Sequence, residues 1–492
     1  MKYFTFILMI LIIAGLLCNA CILKPEDAIN ETRQNNAGLD DTMFQNAEAK
    51  GADIPGVDLL SAKDIEYLGA FRLPGEGGRP DTFAYGGSAI TFNPNGDPDG
   101  ENDDFTGSLF VMGHPRLPYG ELTDGNKVAE ISIPVPIITK SIDALNISSF
   151  IQEFSDIAEG FYTALNELPR TAMQYFEHPK NGASIHLAWG QHFQEEPNTQ
   201  VPSHASFSPE LSNPDLQGTW YIGNQLLYSV NNYLLDIPIS WADDYLDSFY
   251  LATGRFRDGG WSGMGPALFA YSPWIDEKGS LATDGASLKE KTLLLYENTL
   301  NNENIENCLT NYQHPDEWEG AAWITTKSGK SAVLFAGTKG TGDKYWYGFL
   351  NPENPHKPCV EEEMLGQFTV CRQYDSSPCP QEDLIECANH TSERGWWSSS
   401  FSAQFLLYNP SDLTRVAAGQ VQPWEPQPYE VITIDPYLFL NPSGIEEDML
   451  GTGDQRRFRI GDITFDRTNG LLYVLELFAD DAKPVVHVWK MS

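Results

Sequence analysis

A strand–turn–strand pattern that returns along the chain limits most strongly how this protein can fold. In each copy, a short strand begins after a small or acidic residue and ends at an aromatic residue, and a turn leads into a second strand. The copies lie at residues 86–112, 319–336 and 461–475, with weaker versions at 185–189 and 219–233. Because a single hairpin cannot cover its own faces, such repeats predict sheets that stack on one another around an axis.

The repeats predict an all-β fold, a β-propeller of six or seven blades over residues 61–492. This count assigns residues 404–408 to a separate unit. The run Gly-Asp-Ile-Thr-Phe-Asp at residues 461–466, with Leu-Tyr-Val at 472–474, resembles blades of NHL and strictosidine-synthase-like propellers. That resemblance implies a fold and no particular activity. The alternative is a β-sandwich followed by a second domain.

Two further patterns predict how the propeller closes and what is inserted on its rim. The alternation at residues 65–73 predicts a strand that pairs beside residues 485–489 and so closes the propeller. Phe150, Phe154, Ile157 and Phe161 recur at helical spacing, which predicts a short amphipathic helix inserted on the rim.

The N-terminus predicts export. Met1-Lys2 is followed by an apolar run at residues 4–17, which is shorter than the roughly 20 residues of a membrane-spanning helix and typical of a signal peptide. Ala20 before Cys21 resembles the processing site of bacterial lipoproteins. The resemblance implies that residues 1–20 are removed and that Cys21 carries lipid. An ordinary cleaved signal peptide is the alternative.

The segment after the anchor is polar. Residues 21–60 have no sustained apolar period and are predicted to be a flexible tether. Ile22 stands where an Asp would resemble an inner-membrane retention signal, so we expect the outer membrane or the cell surface.

Four cysteines crowd one segment of the predicted propeller, at about residues 351–395. They are Cys359, Cys371, Cys379 and Cys387. Exported chains meet an oxidising compartment, so we expect disulfides that staple a surface loop. A metal cluster is the alternative, although no Cys-x-x-Cys pair is present. With Cys308 the number is odd, which leaves one thiol unpaired or paired elsewhere.

The charge balance excludes one class of partner. The chain has 31 Lys and Arg against 68 Asp and Glu, for a net charge of −37. Such a surface repels phosphate backbones and anionic headgroups, so nucleic acid is excluded and the lipid is the expected membrane contact. No Gly-rich phosphate loop, His-Glu-x-x-His or Gly-x-Ser-x-Gly motif is present, which disfavours nucleotide hydrolysis, zinc proteolysis and α/β-hydrolase chemistry.

Ligands of propellers bind where the first strands of the blades converge. Glu319 and Asp462 begin two such strands and are candidates for a general acid/base pair or a cation site. Alternatively, they accept backbone N–H bonds at strand ends. His114 and His192 follow strands and are candidate loop bases, since histidine titrates near neutral pH.

Arg255 and Arg257 are candidate ligand-binding residues. Side chains one residue apart on a strand point the same way, and two guanidinium groups suit a carboxylate, uronate or phosphate. A hub of internal salt bridges explains the pair equally well.

Calcium is the one cofactor that the sequence suggests. Asn95, Asp97 and Asp99 place oxygen atoms at alternate positions, as in half of a calcium loop. The twelfth position is Thr106 rather than Glu, and turn formation explains the same residues.

Two functions remain open. The first is a propeller that binds a carbohydrate or a protein partner, because 12 Trp and 21 Tyr offer flat rings for stacking and anchoring. The second is a propeller enzyme, either a lyase, a hydrolase or a quinone-dependent dehydrogenase, that acts on a sugar or another small molecule.

Overall fold

The computed structural model describes most of the chain from residue 54 to the C-terminus. The described residues are 54–75, 78–97, 105–116, 123–158, 162, 170–178, 181–190, 200–226, 229–230, 232–255, 257, 263–298, 306–342, 344–345, 362–365, 368–371, 397–398 and 400–492. The predicted signal peptide, Cys21 and most of the tether lie outside them. Within these segments, no helix is long and apolar enough to cross a membrane.

Five four-stranded antiparallel meanders, which we call blades 1 to 5, make up the described chain. Strand β1 (Ile65–Arg72) belongs to blade 5. Blade 1 contains β2 (Ile90–Asn93), β3 (Ser108–Met112), β4 (Val128–Ser132) and β5 (Phe150–Ser155). Blade 2 contains β6 (Arg170–His178), β7 (Gly182–Gly190), β8 (His204–Phe207) and β9 (Gln217–Ile222). Blade 3 contains β10 (Leu234–Asp236), β11 (Leu251–Thr253), β12 (Leu268–Asp276) and β13 (Ser287–Leu294).

Blade 4 carries the long insertion. It begins with β14 (Glu317–Thr325) and β15 (Ser331–Gly340). The insertion contributes two short pairs of strands, β16 (Lys344–Tyr345) with β19 (Trp397–Ser398) and β17 (Glu362–Leu365) with β18 (Phe368–Cys371). The blade resumes with β20 (Phe401–Tyr408) and β21 (Glu430–Thr433). Blade 5 contains β22 (Ile460–Asp466), β23 (Leu471–Asp480) and β24 (Lys483–Met491), and β1 completes it.

The inner strands of the blades form a closed ring. Strand β2 contacts β6, β6 contacts β10, β10 contacts β14, β14 contacts β22, and β22 returns to β2. Sheets arranged in this way around one axis are a β-propeller, which confirms the predicted architecture and rules out face-packed sandwich sheets. The described residues contain five blades, rather than the predicted six or seven.

The excess in the predicted blade number has a simple cause. The predicted copy at residues 185–189 lies in the second strand of blade 2, and the predicted copy at residues 219–233 begins in the fourth strand of the same blade. Residues 404–408 lie in β20, the third strand of blade 4, which the long insertion separates from β15. Strands that lie far apart in the sequence therefore suggest two blades although they belong to one.

The predicted closure of the ring is confirmed. Strand β1 pairs antiparallel with β24 from Ile65↔Met491 to Arg72↔Val485, and one bulge lies between Tyr67 and Gly69. The last blade is thus assembled from both ends of the described chain. Pairing of this kind removes the free edge at which a ring could open.

The predicted rim helix is wrong. Residues 150–155 form β5, the outermost strand of blade 1, and Phe150 and Phe154 both pack against Phe83. Residues four apart share a face of a strand as well as of a helix, so this spacing does not separate the two structures. Ile157 is buried beyond the strand, and Phe161 lies outside the described residues.

Helices are few in the part of the chain that the structure describes. They are α1 (Ile239–Tyr245), α2 (Pro410–Ala417) and α3 (Glu447–Leu450), with 3-10 turns at Ala62–Asp64, Ile142–Ala144, Asp435–Tyr437 and Gly453–Gln455. Helix α2 begins after Asn409, whose Oδ1 accepts the Ser411 N–H at 3.0 Å, and Pro410 at its first position needs no donor.

The core is a set of apolar layers between neighbouring blades. Each layer draws side chains from both blades that it joins, such as Phe335 with Leu293, Phe405 with Trp489, Val111 with Tyr473, Phe110 with Leu187, and Trp220 with Phe269. Burial of one large apolar side chain contributes about 1.5–3 kcal/mol, so the layers dominate the stability of the ring.

The disulfide prediction is not tested by the structure. Cys359, Cys379 and Cys387 lie outside the described residues, as does the side chain of Cys371. The stapled loop therefore stays a prediction.

Candidate binding site at the channel mouth

The inner strands begin at one end of the ring, as bonds between their first residues show. Ser88 Oγ, just before β2, lies 2.8 Å from Thr171 Oγ1 at the start of β6. The N–H of Ile90, the first residue of β2, donates to Asp462 in β22. We call this end the channel mouth, and it gathers Glu317, Glu319 and Asp462 from two neighbouring inner strands.

Glu319 is held by an arginine that the sequence analysis did not identify. Arg170 donates to its carboxylate through Nε at 2.9 Å and Nη2 at 3.0 Å. Arg170 begins β6 in blade 2, whereas Glu319 lies in blade 4, so the ion pair joins blades that are not neighbours. Burial raises the pKa of Glu319, the charge of Arg170 opposes that rise, and the nearby charge of Glu317 adds to it.

Asp462 serves as a backbone acceptor, as the alternative hypothesis supposed. Its Oδ2 accepts the N–H of Ile90 at 3.0 Å, and its Oδ1 accepts the N–H of Ile463 at 2.8 Å. A Cβ on Gly320 would lie 2.9 Å from Asp462 Oδ1, so the close approach of β14 and β22 requires glycine there. Burial raises the pKa of Asp462 well above its ordinary value, with the nearby Glu319 adding to the rise.

The two predicted arginines differ in exposure. The side chain of Arg255 is fully buried, and its Nη2 donates to the carbonyl of Gly265 at 2.6 Å. Arg257 reaches across to blade 4, where its Nη1 lies 3.5 Å from Glu317 Oε1. Only Arg257 is therefore placed at the mouth with partial exposure, while Arg255 fits the alternative of an internal contact.

An aromatic ring with two guanidinium groups beside it is the most distinctive feature of the mouth. Arg457 places its Cζ 4.5 Å from the centroid of the Phe458 ring, and Arg170 places its Cζ 5.9 Å from the same centroid. Both Arg457 and Phe458 are partly exposed. Guanidinium groups at such distances are attracted to the face of the ring.

The sequence contains a signal for this feature, a run of arginines beside a phenylalanine. Residues 456–459 read Arg-Arg-Phe-Arg in a chain with only 31 basic residues, and the run lies directly before the strand that contains Asp462. The flanking arginines support the loop: Arg459 Nη1 lies 2.8 Å from Asp435 Oδ1, and Arg456 lies over the ring of Phe478. Burial lowers the pKa of Arg456 to about 10.

Of the two histidine candidates, His114 lies within the described residues. His114 is buried, its Nδ1 lies 2.7 Å from the carbonyl oxygen of Pro115, and its ring packs edge-on against Tyr85. These contacts hold the ring in the loop after β3, and the role of His114 as a base stays a prediction. His192 lies outside the described residues.

The calcium candidates are only partly described. Asn95 uses its side-chain Nδ2 to donate to the Tyr175 hydroxyl at 3.0 Å and to Glu177 Oε2 at 3.1 Å. Asp99 lies outside the described residues, and among those described no group of three or more His, Cys, Asp or Glu side chains is arranged to hold a metal ion. Calcium at Asn95, Asp97 and Asp99 stays a prediction.

Known proteins offer limited comparison. No protein-family model and no curated protein matches this sequence. Among solved structures it is similar to the Dos1 propeller, with 9% identity over 84% of this chain and 69% of that chain and a TM-score of 0.26. It is also similar to the holo form of the PQQ domain of pyranose dehydrogenase from Coprinopsis cinerea, with 10% identity over 90% of this chain and 99% of that chain and a TM-score of 0.31.

Proposed function

We propose that the channel mouth binds an acidic carbohydrate, a sugar ring that carries a carboxylate. The observation that carries this proposal is the partly exposed Phe458 ring with the guanidinium groups of Arg457 and Arg170 beside it. A flat ring stacks on the apolar face of a sugar, and a guanidinium group binds a carboxylate through two parallel hydrogen bonds.

Charge at the mouth supports an anionic ligand. Arg170 and Arg257 are paired with Glu319 and Glu317, and Arg457 adds a third guanidinium group beside the partly exposed Phe458 ring. Asp462 directs both of its oxygens to backbone N–H groups. On a chain with a net charge of −37, this cluster of guanidinium groups attracts an anion to the mouth.

Binding is favoured over catalysis because the two carboxyl groups proposed for acid/base chemistry already have partners. Glu319 accepts two hydrogen bonds from Arg170, and both oxygens of Asp462 accept backbone N–H groups. A general acid or base needs an oxygen that can reach the proton it transfers. The lyase, hydrolase and dehydrogenase alternatives therefore have no available acid or base at these two residues.

The binding proposal is tested by titration with oligogalacturonate and, separately, with a neutral maltooligosaccharide of equal length. We expect measurable heat by calorimetry with the acidic oligomer only. Phe458→Ala should weaken that binding about tenfold, equivalent to about 1.4 kcal/mol, because the stacking surface is removed. Arg457→Gln should weaken it by a similar factor.

Arg415→Gln is the matched control. Arg415 is a partly exposed arginine paired with Asp412 at 2.6 Å on α2 in blade 4, so its loss changes the net charge equally without touching the mouth. Equal affinity for acidic and neutral oligomers, or undiminished binding by Phe458→Ala, would contradict the proposal.

We propose, further, that the protein is exported and anchored to the outer membrane or cell surface by lipid on Cys21, which is its one membrane contact. Cys21→Ser should move the protein from the membrane fraction to the soluble fraction and abolish incorporation of labelled fatty acid. Cys18→Ser is the control, and its product should stay with the membrane. A Cys21→Ser protein that remained in the membrane fraction would show that Cys21 is not the anchor.

A further inference from the structure

A cavity lies away from the mouth, where blades 2 and 3 join at their outer edges. Its volume is about 280 Å³. The lining residues are Gly223, Asn224, Phe249, Glu277, Lys289 and Glu290. Asn224 and Glu277 are exposed, so the cavity opens at the surface.

The cavity results from an unusual strand pairing. The outermost strands β9 and β13 pair in parallel through Tyr221↔Ser287 and Ile222↔Leu288, which merges two blades into one eight-stranded sheet. Directly after β9, the Gly223 N–H donates to the carbonyl of Leu288 at 2.8 Å. Among the described residues, no other neighbouring blades are merged in this way.

Gly223 keeps the space open. Its φ is +47°, and a Cβ at this position would overlap the Cγ of Glu290. Any other residue would therefore displace the glutamate from the cavity wall and strain the backbone. The position requires glycine for two independent reasons.

Glu290 presents an acceptor that the described protein leaves unused. Its Oε1 accepts Gln225 Nε2 at 3.0 Å, while its Oε2 is buried and has no hydrogen-bond partner among the described residues. Buried carboxylate oxygens are normally bonded, so an open one beside a cavity indicates that a donor from elsewhere can occupy it. Burial raises the pKa of Glu290, and the charge of Glu277 adds to the rise.

We propose that this cavity binds a small molecule of the amino-acid type, which carries both an ammonium and a carboxylate group. The lining supplies both complementary charges, with Glu290 and Glu277 for the ammonium group and Lys289 for the carboxylate. The buried ring of Phe249 supplies an apolar wall for a small side chain. No residue of the mouth takes part.

Three probes that differ only in their charged groups test the proposal. They are L-leucine, 3-methylbutylamine, which lacks the carboxylate, and 4-methylpentanoate, which lacks the ammonium group. By calorimetry we expect leucine to bind with a Kd on the order of 1 mM, and the other two to bind at least about tenfold more weakly. Leucine should bind more tightly as the pH rises from about 4 to about 7, because the ionised form of Glu290 attracts the ammonium group.

Single substitutions test whether leucine binds at this cavity. Glu290→Gln and Lys289→Met should each weaken leucine binding about tenfold or more, whereas Glu153→Gln, an exposed glutamate on β5, should leave it unchanged. Phe458→Ala should also leave leucine binding intact, which separates this site from the mouth. Undetectable leucine binding, equal binding of all three probes, or full binding by Glu290→Gln would overturn the proposal.

Discussion

An Arg170→Met variant is expected to lose about 3–5 kcal/mol of unfolding free energy at neutral pH, more than the corresponding Glu319→Leu variant loses. The two losses differ because Glu319 is more deeply buried than Arg170. The side chain of Glu319 is 2% exposed, so without Arg170 its charge has no counterpart and little water. Arg170 is 21% exposed and can turn towards solvent when Glu319 is absent. Urea unfolding followed by tryptophan fluorescence measures both losses.

The unfolding free energy that Arg170→Met loses should increase as the pH rises. The charge of Arg170 lowers the pKa of Glu319, so its removal lets burial raise that pKa further. A carboxyl group whose pKa is raised by folding favours the folded state at low pH, and that contribution is lost as pH rises through the folded pKa. The difference from the native protein should therefore be smallest near about pH 4 and largest above about pH 7.

A double variant distinguishes the ion pair from a general packing defect. Arg170→Met with Glu319→Leu removes both charges together, and we expect stability within about 1 kcal/mol of the native protein, because a buried pair contributes little beyond apolar replacements. Arg415→Met, at a partly exposed surface pair, should cost less than about 1 kcal/mol. Additive losses in the double variant, or a pH-independent deficit, would contradict this account.

The sequence was sufficient for the architecture because propeller strands have local signatures. The alternation at residues 65–73 and the run at 485–489 each indicate a strand, and a ring leaves the two ends of the chain side by side. The sequence pattern predicts Glu319 and Asp462 at the mouth because it places each near the start of an inner strand, and each is the third residue of its strand in the structure. The predicted blade number was too high partly because the insertion after β15 separates two strands of the same blade in the sequence. The predicted rim helix was wrong because residues four apart share a face of a strand as well as of a helix.

The contacts of the candidate site could not be predicted in the same way. Arg170 is 149 residues from Glu319, and no local spacing connects them. Whether Asp462 receives a cation or two backbone N–H groups depends on how closely Gly320 lets β14 approach β22. Such contacts are set by the stacking of whole blades, so the sequence identifies the residue types at the mouth but not their partners.

The second large effect is expected at Glu476, which secures the closure of the ring. This buried carboxylate accepts the N–H groups of Phe439 at 2.9 Å and Leu440 at 2.6 Å, and its Oε2 lies 2.8 Å from His487 Nε2. His487 Nδ1 in turn lies 2.9 Å from the hydroxyl of Tyr67 on β1. One side chain thus connects three strands of blade 5 with the segment that follows the 3-10 turn of blade 4.

Glu476→Ala should therefore lower the unfolding free energy by about 3–5 kcal/mol, since it leaves two partly buried N–H donors and the buried His487 without their acceptor. Tyr67→Phe removes only the outermost contact and should cost about 1 kcal/mol. Glu66→Ala is the matched control, because Glu66 is exposed on β1, the strand that carries Tyr67, and its loss should cost less than about 0.5 kcal/mol.

Hydrogen exchange should also rise in β1 of Glu476→Ala before it rises in blades 2 and 3, because β1 is the strand that the network holds to the ring. Uniform exchange across the blades, or stability equal to that of Glu66→Ala, would show that the β1–β24 ladder alone maintains the closure.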